Sequence, residues 1–156
     1  MLRAARWKES CCRISGTTGG CAVPPKVETS TPVGVMEPIG PYSHVAKAGQ
    51  FITIGAVAGV DPATGELAGP DVSAQTLQIL DAFEILLDAV GSDLNHVLHI
   101  NIHLTNMDDF RAMNDVYAEK MGDRRPARTS MAVANLPKAG ALITMNLTAV
   151  TREQSE

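Results

Sequence analysis

Val97–Leu104, with the sequence VLHINIHL, alternates strictly between apolar and polar side chains. Successive side chains of a strand point to opposite faces of a sheet, so this pattern predicts a strand with one apolar and one polar face. The apolar face carries Leu98, Ile100, Ile102 and Leu104. The polar face carries His99, Asn101 and His103. The stretch therefore indicates a strand that packs against a hydrophobic layer on one side.

Amphipathic helices are predicted before and after this strand. The first has Asp71 as its N-cap, runs to about Val90 and ends at Gly91. The second begins at Asn106 or Asp108 and ends at about Met121. The first apolar stripe, spaced by three or four residues, is Leu77, Leu80, Phe83, Leu87 and Val90. The second is Phe110, Met113, Tyr117 and Met121.

Four further strands complete the predicted fold. They are Ser43–Lys47, Phe51–Val57, Thr129–Ala134 and Ala141–Val150. The order strand, strand, helix, strand, helix, strand, strand predicts a two-layer α+β domain, in which both helices cover one face of a mixed sheet. No third helix covers the other face. A homo-oligomer that packs sheet against sheet is the simplest way to bury it.

The chain of 156 residues is predicted to hold one domain, residues 27–152. An N-terminal extension, residues 1–26, and a short tail, residues 153–156, flank it. The extension lacks the apolar segment of a secretory signal, and we expect it to be disordered and dispensable. A cytoplasmic protein is therefore expected. Targeting to an organelle is the less favoured alternative, because Glu9 and Cys11–Cys12 are unusual in a transit peptide.

Composition and charge exclude several classes of function. A net charge of −4, a pI of about 5.5 and 4% aromatic residues argue against nucleic-acid binding. Apolar runs such as Phe51–Gly59 are too short to span a bilayer, so no membrane role is expected. Cys11, Cys12 and Cys21 are the only cysteines. Their position excludes a disulfide-stapled domain and their spacing does not suit zinc, so we expect no metal and no cofactor.

Short motifs in a fixed order connect the chain to a known family. They are Ile39–Ser43, Asp61–Pro62, Thr64–Glu66, Asp71–Gln75, Thr105–Phe110, Asn114–Tyr117, Arg125–Arg128 and Leu136–Pro137. No single motif is specific, but the ordered set covers about Pro32 to Val150. On this set the chain resembles the RidA/YjgF family of imine deaminases.

The resemblance implies a trimeric, chorismate-mutase-like α+β fold, which agrees with the uncovered sheet face inferred above. It also implies hydrolysis of reactive 2-imino acids and their enamine tautomers to 2-oxo acids and ammonia. The expected partners are thus a small imino or oxo acid and two further copies of the chain. Sites in this family lie in clefts between subunits, so each pocket draws on two chains.

Four residues receive roles from the resemblance. Arg128 grips the substrate carboxylate, because a guanidinium offers two parallel donors and a permanent charge. A surface salt bridge is the alternative that its local sequence alone favours. Tyr42 borders the pocket and Asn114 lies near it, with a half-buried tyrosine and a helix-surface asparagine as the respective alternatives. Ser130 stands where many relatives carry cysteine, and there the backbone carbonyl is the useful group.

Two departures from the family pattern bear on catalysis. Deaminating relatives carry a serine-glycine-glutamine step at the end of the second strand, where this chain has Gly55–Val57. They also carry a glutamate in the last strand, thought to orient the attacking water. Asn146 is the aligned residue here, with Thr144 two positions before it. Asparagine can hold a water but takes no proton at neutral pH, so Arg128 supports carboxylate binding better than fast hydrolysis.

Other functions and other polar residues stay open at this point. A trimer of the same family that binds a small carboxylate without turnover is one alternative, and a ribonuclease or translation inhibitor is a weaker one. His99 and His103 lie about 13 Å apart along a strand, too far for one metal in a single chain. A polar lining or an interface is preferred for them. Arg124 and Arg125 do not match the family motif and are interpreted as solvated charge.

Overall fold

A computed structural model describes residues 25–152. The three cysteines, nearly all of the predicted extension and the C-terminal tail lie outside these residues. The strands are β1 (Glu28–Ser30), β2 (Val45–Ala48), β3 (Phe51–Ala58), β4 (Val97–Leu104), β5 (Ala127–Ala132) and β6 (Ile143–Val150). The helices are α1 (Val72–Asp88) and α2 (Phe110–Met121). Single 3-10 turns, Leu94–His96 and Met107–Asp109, precede β4 and α2.

The strands form one mixed sheet in the order β1-β2-β3-β6-β4-β5. Neighbours are antiparallel except β4 and β5, which are parallel and joined by α2. Helix α1 packs against α2 and against β3 and β6. The α+β class with two helices on a mixed sheet is therefore confirmed. The short strand β1 was not predicted, since Glu28–Ser30 contains no apolar residue.

Helix α1 begins where the sequence predicts. The Asp71 side chain accepts a hydrogen bond from the backbone N of Ala74 at 2.9 Å, which satisfies a free donor of the first turn. Gly91, with φ of +79°, follows its end. Its buried residues are Val72, Gln75, Thr76, Ile79, Leu80, Ala82, Phe83, Leu86 and Leu87. Leu77 was placed wrongly in the apolar stripe, because the buried face is centred on Ile79 and Phe83 and leaves Leu77 45% exposed.

Strand β4 has the predicted bounds and, for most of its length, the predicted faces. Ile100, Ile102 and Leu104 are fully buried. Leu98 is the exception, at 48% exposed, while Val97 is buried. The pairing of β4 with β6 shifts register between Val97 and His99. This irregularity interrupts the two-residue period, and the prediction for Leu98 was wrong for that reason.

The sheet face that is turned away from the helices carries mostly polar residues. His99, Asn101 and His103 lie beside Thr148, Asn146 and Thr144 of β6 and are only partly buried. Phe51 and Met131 add exposed apolar surface, at 59% and 43% exposed. A second copy of the chain would bury this face, and the trimer stays a prediction. In residues 25–152, no helix has both the length and the apolar character needed to cross a membrane.

The end of β3 and the start of α1 approach each other unusually closely. A Cβ added at Gly59 would lie 2.4 Å from the carbonyl O of Gln75, so only glycine fits without a backbone shift. The Gln75 side chain is buried and accepts a hydrogen bond from the backbone N of Leu142 at 2.9 Å. These contacts hold the loop before β6 against the end of β3, where one of the clefts described below is formed.

Candidate functional site

Arg128 lies on β5, the edge strand, directly opposite the buried Ile100 of β4. Its side chain consequently points to the helix side of the sheet. One terminal nitrogen, Nη1, donates to Oδ1 of Asn114 on α2 at 2.9 Å. The guanidinium carbon lies 4.8 Å from the ring centre of Tyr117 and 5.8 Å from that of Phe110. The aromatic rings and the amide thus hold the guanidinium in one orientation.

The Arg128 cleft is the concave surface beside this guanidinium, with a volume of about 350 Å³. It is lined by Asn114, Tyr117, Ala118, Met121, Arg124, Arg125, Pro126 and Arg128. Ion pairs recorded among residues 25–152 do not involve any of its three arginines. The cleft is therefore a positively charged site without an internal carboxylate to neutralise it, and a small anion fits its chemistry.

Arg124 and Arg125, which the sequence analysis interprets as solvated charge, both line the Arg128 cleft, where Arg125 is exposed. Nε of Arg124 donates to Oδ1 of Asn95 at 2.9 Å, and its Nη1 donates to the carbonyl O of Met121 at 3.2 Å. Nη1 of Arg125 donates to the carbonyl O of Gly122. Sequence reasoning missed this convergence, although the run RRPAR, which leads into β5, is a signal that could have indicated it.

Tyr117 forms the wall of the Arg128 cleft. It is 7% exposed, and its hydroxyl has no hydrogen-bond partner among residues 25–152. Burial raises the pKa of Tyr117, while the charges of Arg128 and Arg125 oppose that rise. The hydroxyl is therefore protonated at neutral pH and lies within electrostatic reach of both guanidinium groups.

Tyr42 belongs to a second concavity, the Tyr42 cleft, of about 480 Å³. It is lined by Met36, Ile39, Tyr42, Ser43, Gly55, Ala56, Ala58, Pro137, Lys138 and Thr144. The Tyr42 hydroxyl accepts from the backbone N of Ile39 at 3.3 Å, and its ring stands edge-on to His44, with ring centres 5.6 Å apart. His44 is fully buried, with Nε2 at 2.7 Å from the carbonyl O of Met36. The lining residues carry no carboxylate.

Gly55 lies at an irregularity in β3, between residues Ile54 and Val57, which pair with Leu147 and Met145 of β6. Asn146 faces this irregularity from β6 and pairs with Asn101 of β4 on its other side. Thr144, rather than Asn146, is the β6 residue that lines the Tyr42 cleft.

There is room for a side chain at Gly55. A Cβ added there would lie 3.8 Å from the carbonyl O of His44, an ordinary contact distance. Glycine at position 55 is therefore not a steric requirement of the local backbone, since a Cβ fits there.

The candidate residues fall into two groups within one chain. Arg128 and Asn114 line the first cleft, and Tyr42 and Gly55 line the second. Ser130 lies on the same face of β5 as Arg128, opposite Ile102, and lines neither cleft. Strands β3 and β5 are separated by β6 and β4, a span of roughly 14 Å at the usual strand spacing. A ligand with four or five carbons does not reach both groups within one subunit.

The histidines of β4 form a polar surface instead of a compact cluster. Nε2 of His99 lies 3.0 Å from Oγ1 of Thr129 on β5, and His103 is one of the half-buried residues on the same face. Over the described part of the chain, no group of three histidine, cysteine or acidic residues is arranged to hold a metal ion.

Comparison with known proteins gives a family match and named relatives. Residues 34–151 match the family model described as Endoribonuclease L-PSP. A RutC family protein from Pyrococcus horikoshii is 44% identical over 102 residues, which are 65% of this chain and 81% of that protein. A 2-iminobutanoate/2-iminopropanoate deaminase from Capra hircus is 37% identical over 102 residues, 65% of this chain and 74% of that protein. Protein mmf1, mitochondrial, of Schizosaccharomyces pombe is 36% identical over 114 residues, 72% of this chain and 69% of that protein.

Solved structures agree with these relatives. The crystal structure of the YjgF gene product from E. coli superposes with a TM-score of 0.75 at 28% identity, covering 80% of this chain and 99% of that one. That of RidA from the Antarctic bacterium Psychrobacter sp. gives 0.75 at 29% identity, covering 79% and 98%. The sheet order and the helix placement described above are thus those of an existing structural family.

Proposed function

The chain belongs to the Endoribonuclease L-PSP family, which includes the RidA and YjgF proteins, and on that premise we propose that it is a hydrolytic deaminase of small 2-imino acids. Its substrate carboxylate is held by Arg128, and its products are a 2-oxo acid and ammonia. Relatives at 32–37% identity that are named 2-iminobutanoate/2-iminopropanoate deaminase support this reaction class.

The observation that carries the proposal is the setting of Arg128. Its guanidinium is oriented by Asn114 and by the Tyr117 ring, yet it has no carboxylate partner among the described residues. One terminal nitrogen of Arg128 donates to Asn114. The other terminal nitrogen of Arg128 and its Nε are left for two parallel hydrogen bonds to a carboxylate.

The reaction requires little from the protein beyond position. Water adds to the electrophilic imine carbon, a tetrahedral amino alcohol forms, and its collapse breaks the carbon–nitrogen bond and releases ammonia. The imine nitrogen gains the protons and the carbon keeps the oxygen of water as its new carbonyl. Arg128 fixes the carboxylate next to the reacting carbon, and most of the rate gain then comes from holding water and substrate in register.

The complete site is proposed to lie between two subunits of a homotrimer. Arg128 and Asn114 of one subunit would meet Tyr42 and Gly55 of the next, because the two groups are too far apart in a single chain for one small substrate. Burial of the exposed apolar residues on the sheet face that carries His99 and Asn101, namely Phe51 and Met131, would contribute to assembly. Ser130 contributes its backbone carbonyl at the edge of this site.

Water activation is the weakest part of the proposed machinery. Asn146 and Thr144 are the polar side chains of β6 nearest to the Gly55 irregularity, and neither takes a proton at neutral pH. A general base contributes about 100- to 10,000-fold to a rate, so turnover is expected to be slower than in relatives that carry a glutamate there.

A direct test generates 2-iminobutanoate in place with an amino acid oxidase and follows its disappearance in the presence of a scavenger that competes for the imine. The expected result is faster ammonia release with wild-type protein than with Arg128→Ala at equal concentration. Equal rates for both proteins and for buffer alone would contradict the enzyme proposal.

A second function, a non-catalytic sensor of small carboxylates on the same scaffold, is favoured by one observation. Neither cleft has a carboxylate side chain among its lining residues, while the charge that binds an anion is present. Stabilisation of the protein by 2-oxobutanoate together with absent turnover would establish this function. Retention of RNA would instead indicate a ribonuclease or translation inhibitor, for which the net charge of −4 gives little support.

The compartment is proposed to be the cytoplasm. One relative, protein mmf1, is named as mitochondrial, so a tag at the C-terminus followed by fluorescence microscopy distinguishes the two locations.

A further inference from the structure

We propose that the preferred substrates of this site are dicarboxylic 2-imino acids, whose second carboxylate is bound by Arg125. This inference rests on the proposed function, because it takes Arg128 to bind the carboxylate next to the imine. It adds a specificity-determining residue to the site and names the substrate class as the imines of acidic amino acids, with four or five carbons.

The first support is the excess of positive charge in the Arg128 cleft. Three arginines line about 350 Å³, and no acidic residue lines the cleft. One arginine suffices for a monocarboxylate with an apolar side chain. Additional unneutralised guanidinium groups beside it repel one another, and they become favourable when the ligand supplies a second negative charge.

The second support is the way in which the three guanidinium groups are held. Arg124 donates through Nε to Asn95 and through Nη1 to Met121, so its fork is turned toward the protein. Arg125 is exposed and uses only Nη1, which donates to the carbonyl oxygens of Gly122 and Arg124. Its Nε and Nη2 are left for a carboxylate. Arg125 is therefore the second binding residue. Arg124 adds positive charge to the cleft without binding the ligand directly.

The third support is the Tyr117 side chain, which lines the same cleft as the two proposed binding arginines. Arg128 stacks on its ring, and both Arg128 and Arg125 lie close enough to act electrostatically on its hydroxyl. That hydroxyl is buried and has no partner in the described chain. Both cations thus lie beside a largely buried aromatic side chain, where their attraction for an anionic ligand is screened less than in open water.

The Tyr42 cleft offers the contrasting environment. Its lining is mostly apolar, and its one cation, Lys138, donates to the carbonyl O of Gly65 at 2.9 Å. An apolar substrate side chain would lie there, whereas a charged one is directed to Arg125. The preference between dicarboxylic and apolar substrates therefore shows whether the substrate side chain binds at Arg125 or in the Tyr42 cleft.

The test compares kcat/KM for the imines generated from aspartate, glutamate and 2-aminobutanoate, in wild type, Arg125→Gln and the control Arg111→Gln. Arg111 is an exposed arginine on α2 outside the cleft, and its substitution changes the net charge equally. In wild type, the dicarboxylic imines are expected to be preferred by about two- to five-fold, the scale of one ion pair at an exposed site. Arg125→Gln should lower kcat/KM for the dicarboxylic imines much more than for 2-iminobutanoate, so that the preference is lost, and Arg111→Gln should retain the preference.

A binding measurement keeps the inference separate from the proposed reaction. Calorimetric titration with 2-oxoglutarate and with 2-oxobutanoate, at fixed ionic strength, needs no turnover. Tighter binding of 2-oxoglutarate that is lost in Arg125→Gln supports the inference. Equal affinity for the two oxo acids, or a preference for 2-oxoglutarate that survives Arg125→Gln, overturns it. Absent turnover of every imine with an intact preference for 2-oxoglutarate overturns only the enzymatic proposal.

Discussion

Removal of the Arg128 side chain is the perturbation with the clearest expected size. The carboxylate of the substrate would lose a charge-assisted, two-pronged hydrogen bond, worth roughly 1.5–3 kcal/mol. That range corresponds to a loss of about 10- to 150-fold in kcat/KM for Arg128→Ala. Arg128→Lys should restore only part of the loss, because an ammonium group is a point charge and does not reproduce the paired donors.

The fold should survive this substitution. Arg128 is exposed on an edge strand, and its contacts with Asn114 and with the Tyr117 ring are the interactions that are lost. A cation–π contact at an exposed site is worth about 0.5–1 kcal/mol, so the melting temperature should fall by only a few degrees. Arg111→Ala, on the same helix as Asn114 but outside the cleft, is the matched control.

The assay is ammonia release from 2-iminobutanoate at several substrate concentrations, with circular dichroism and sedimentation to confirm the fold and the assembly of each variant. An Arg128→Ala protein that keeps its oligomeric state and its full kcat/KM would refute the assignment of Arg128. A loss of activity together with loss of the oligomer would show that Arg128 acts through assembly and not through the substrate.

Three further outcomes are expected. Thr144→Glu should raise the turnover rate by about ten-fold or more, because Thr144 lines the Tyr42 cleft. Asn146→Glu should raise the turnover rate less. A larger increase for Asn146→Glu would show that position 146, and not position 144, is where a side chain activates the water. Tyr117→Phe should not destabilise the protein, since the hydroxyl that is lost has no partner. Because burial raises the pKa of Tyr117, wild type should lose stability as pH rises above about 10. Urea titrations at pH 8 and pH 11 measure this loss. An equal loss of stability in Tyr117→Phe would disprove its assignment to Tyr117. A chain that begins at Val27 should sediment as a trimer, and a monomer at micromolar concentration would contradict both the oligomer and the dispensable extension.

The sequence was most informative where one short-range pattern determines structure. The alternation in Val97–Leu104 and the Asp71 cap were found because each depends on neighbouring residues alone. Leu77 and Leu98 were misplaced, because the direction of the buried helix face and a register shift in β4 depend on partners that are distant in sequence. Strand β1 escaped detection for a related reason, since its pairing with β2, not its own composition, makes it a strand.

In the candidate site, too, the features that depend on neighbouring residues were predictable and those that depend on distant residues were not. Arg128 was identifiable from a family motif, but the place of Arg125 in the same cleft follows from the path of the chain between α2 and β5. The separation of Arg128 on β5 from Gly55 on β3 by two intervening strands was not readable from the motifs either, since it depends on strand order. A site that draws on two chains leaves no local signal of which chain supplies which residue.

The most direct test of the central claim is a crystal structure of the assembled protein with 2-oxobutanoate. The account predicts a trimer in which the ligand carboxylate makes two hydrogen bonds to Arg128 of one subunit, while Tyr42 of the neighbouring subunit borders the ligand. A carboxylate bound away from Arg128, or an assembly in which Arg128 and Tyr42 of adjacent subunits lie too far apart to share one ligand, would contradict it.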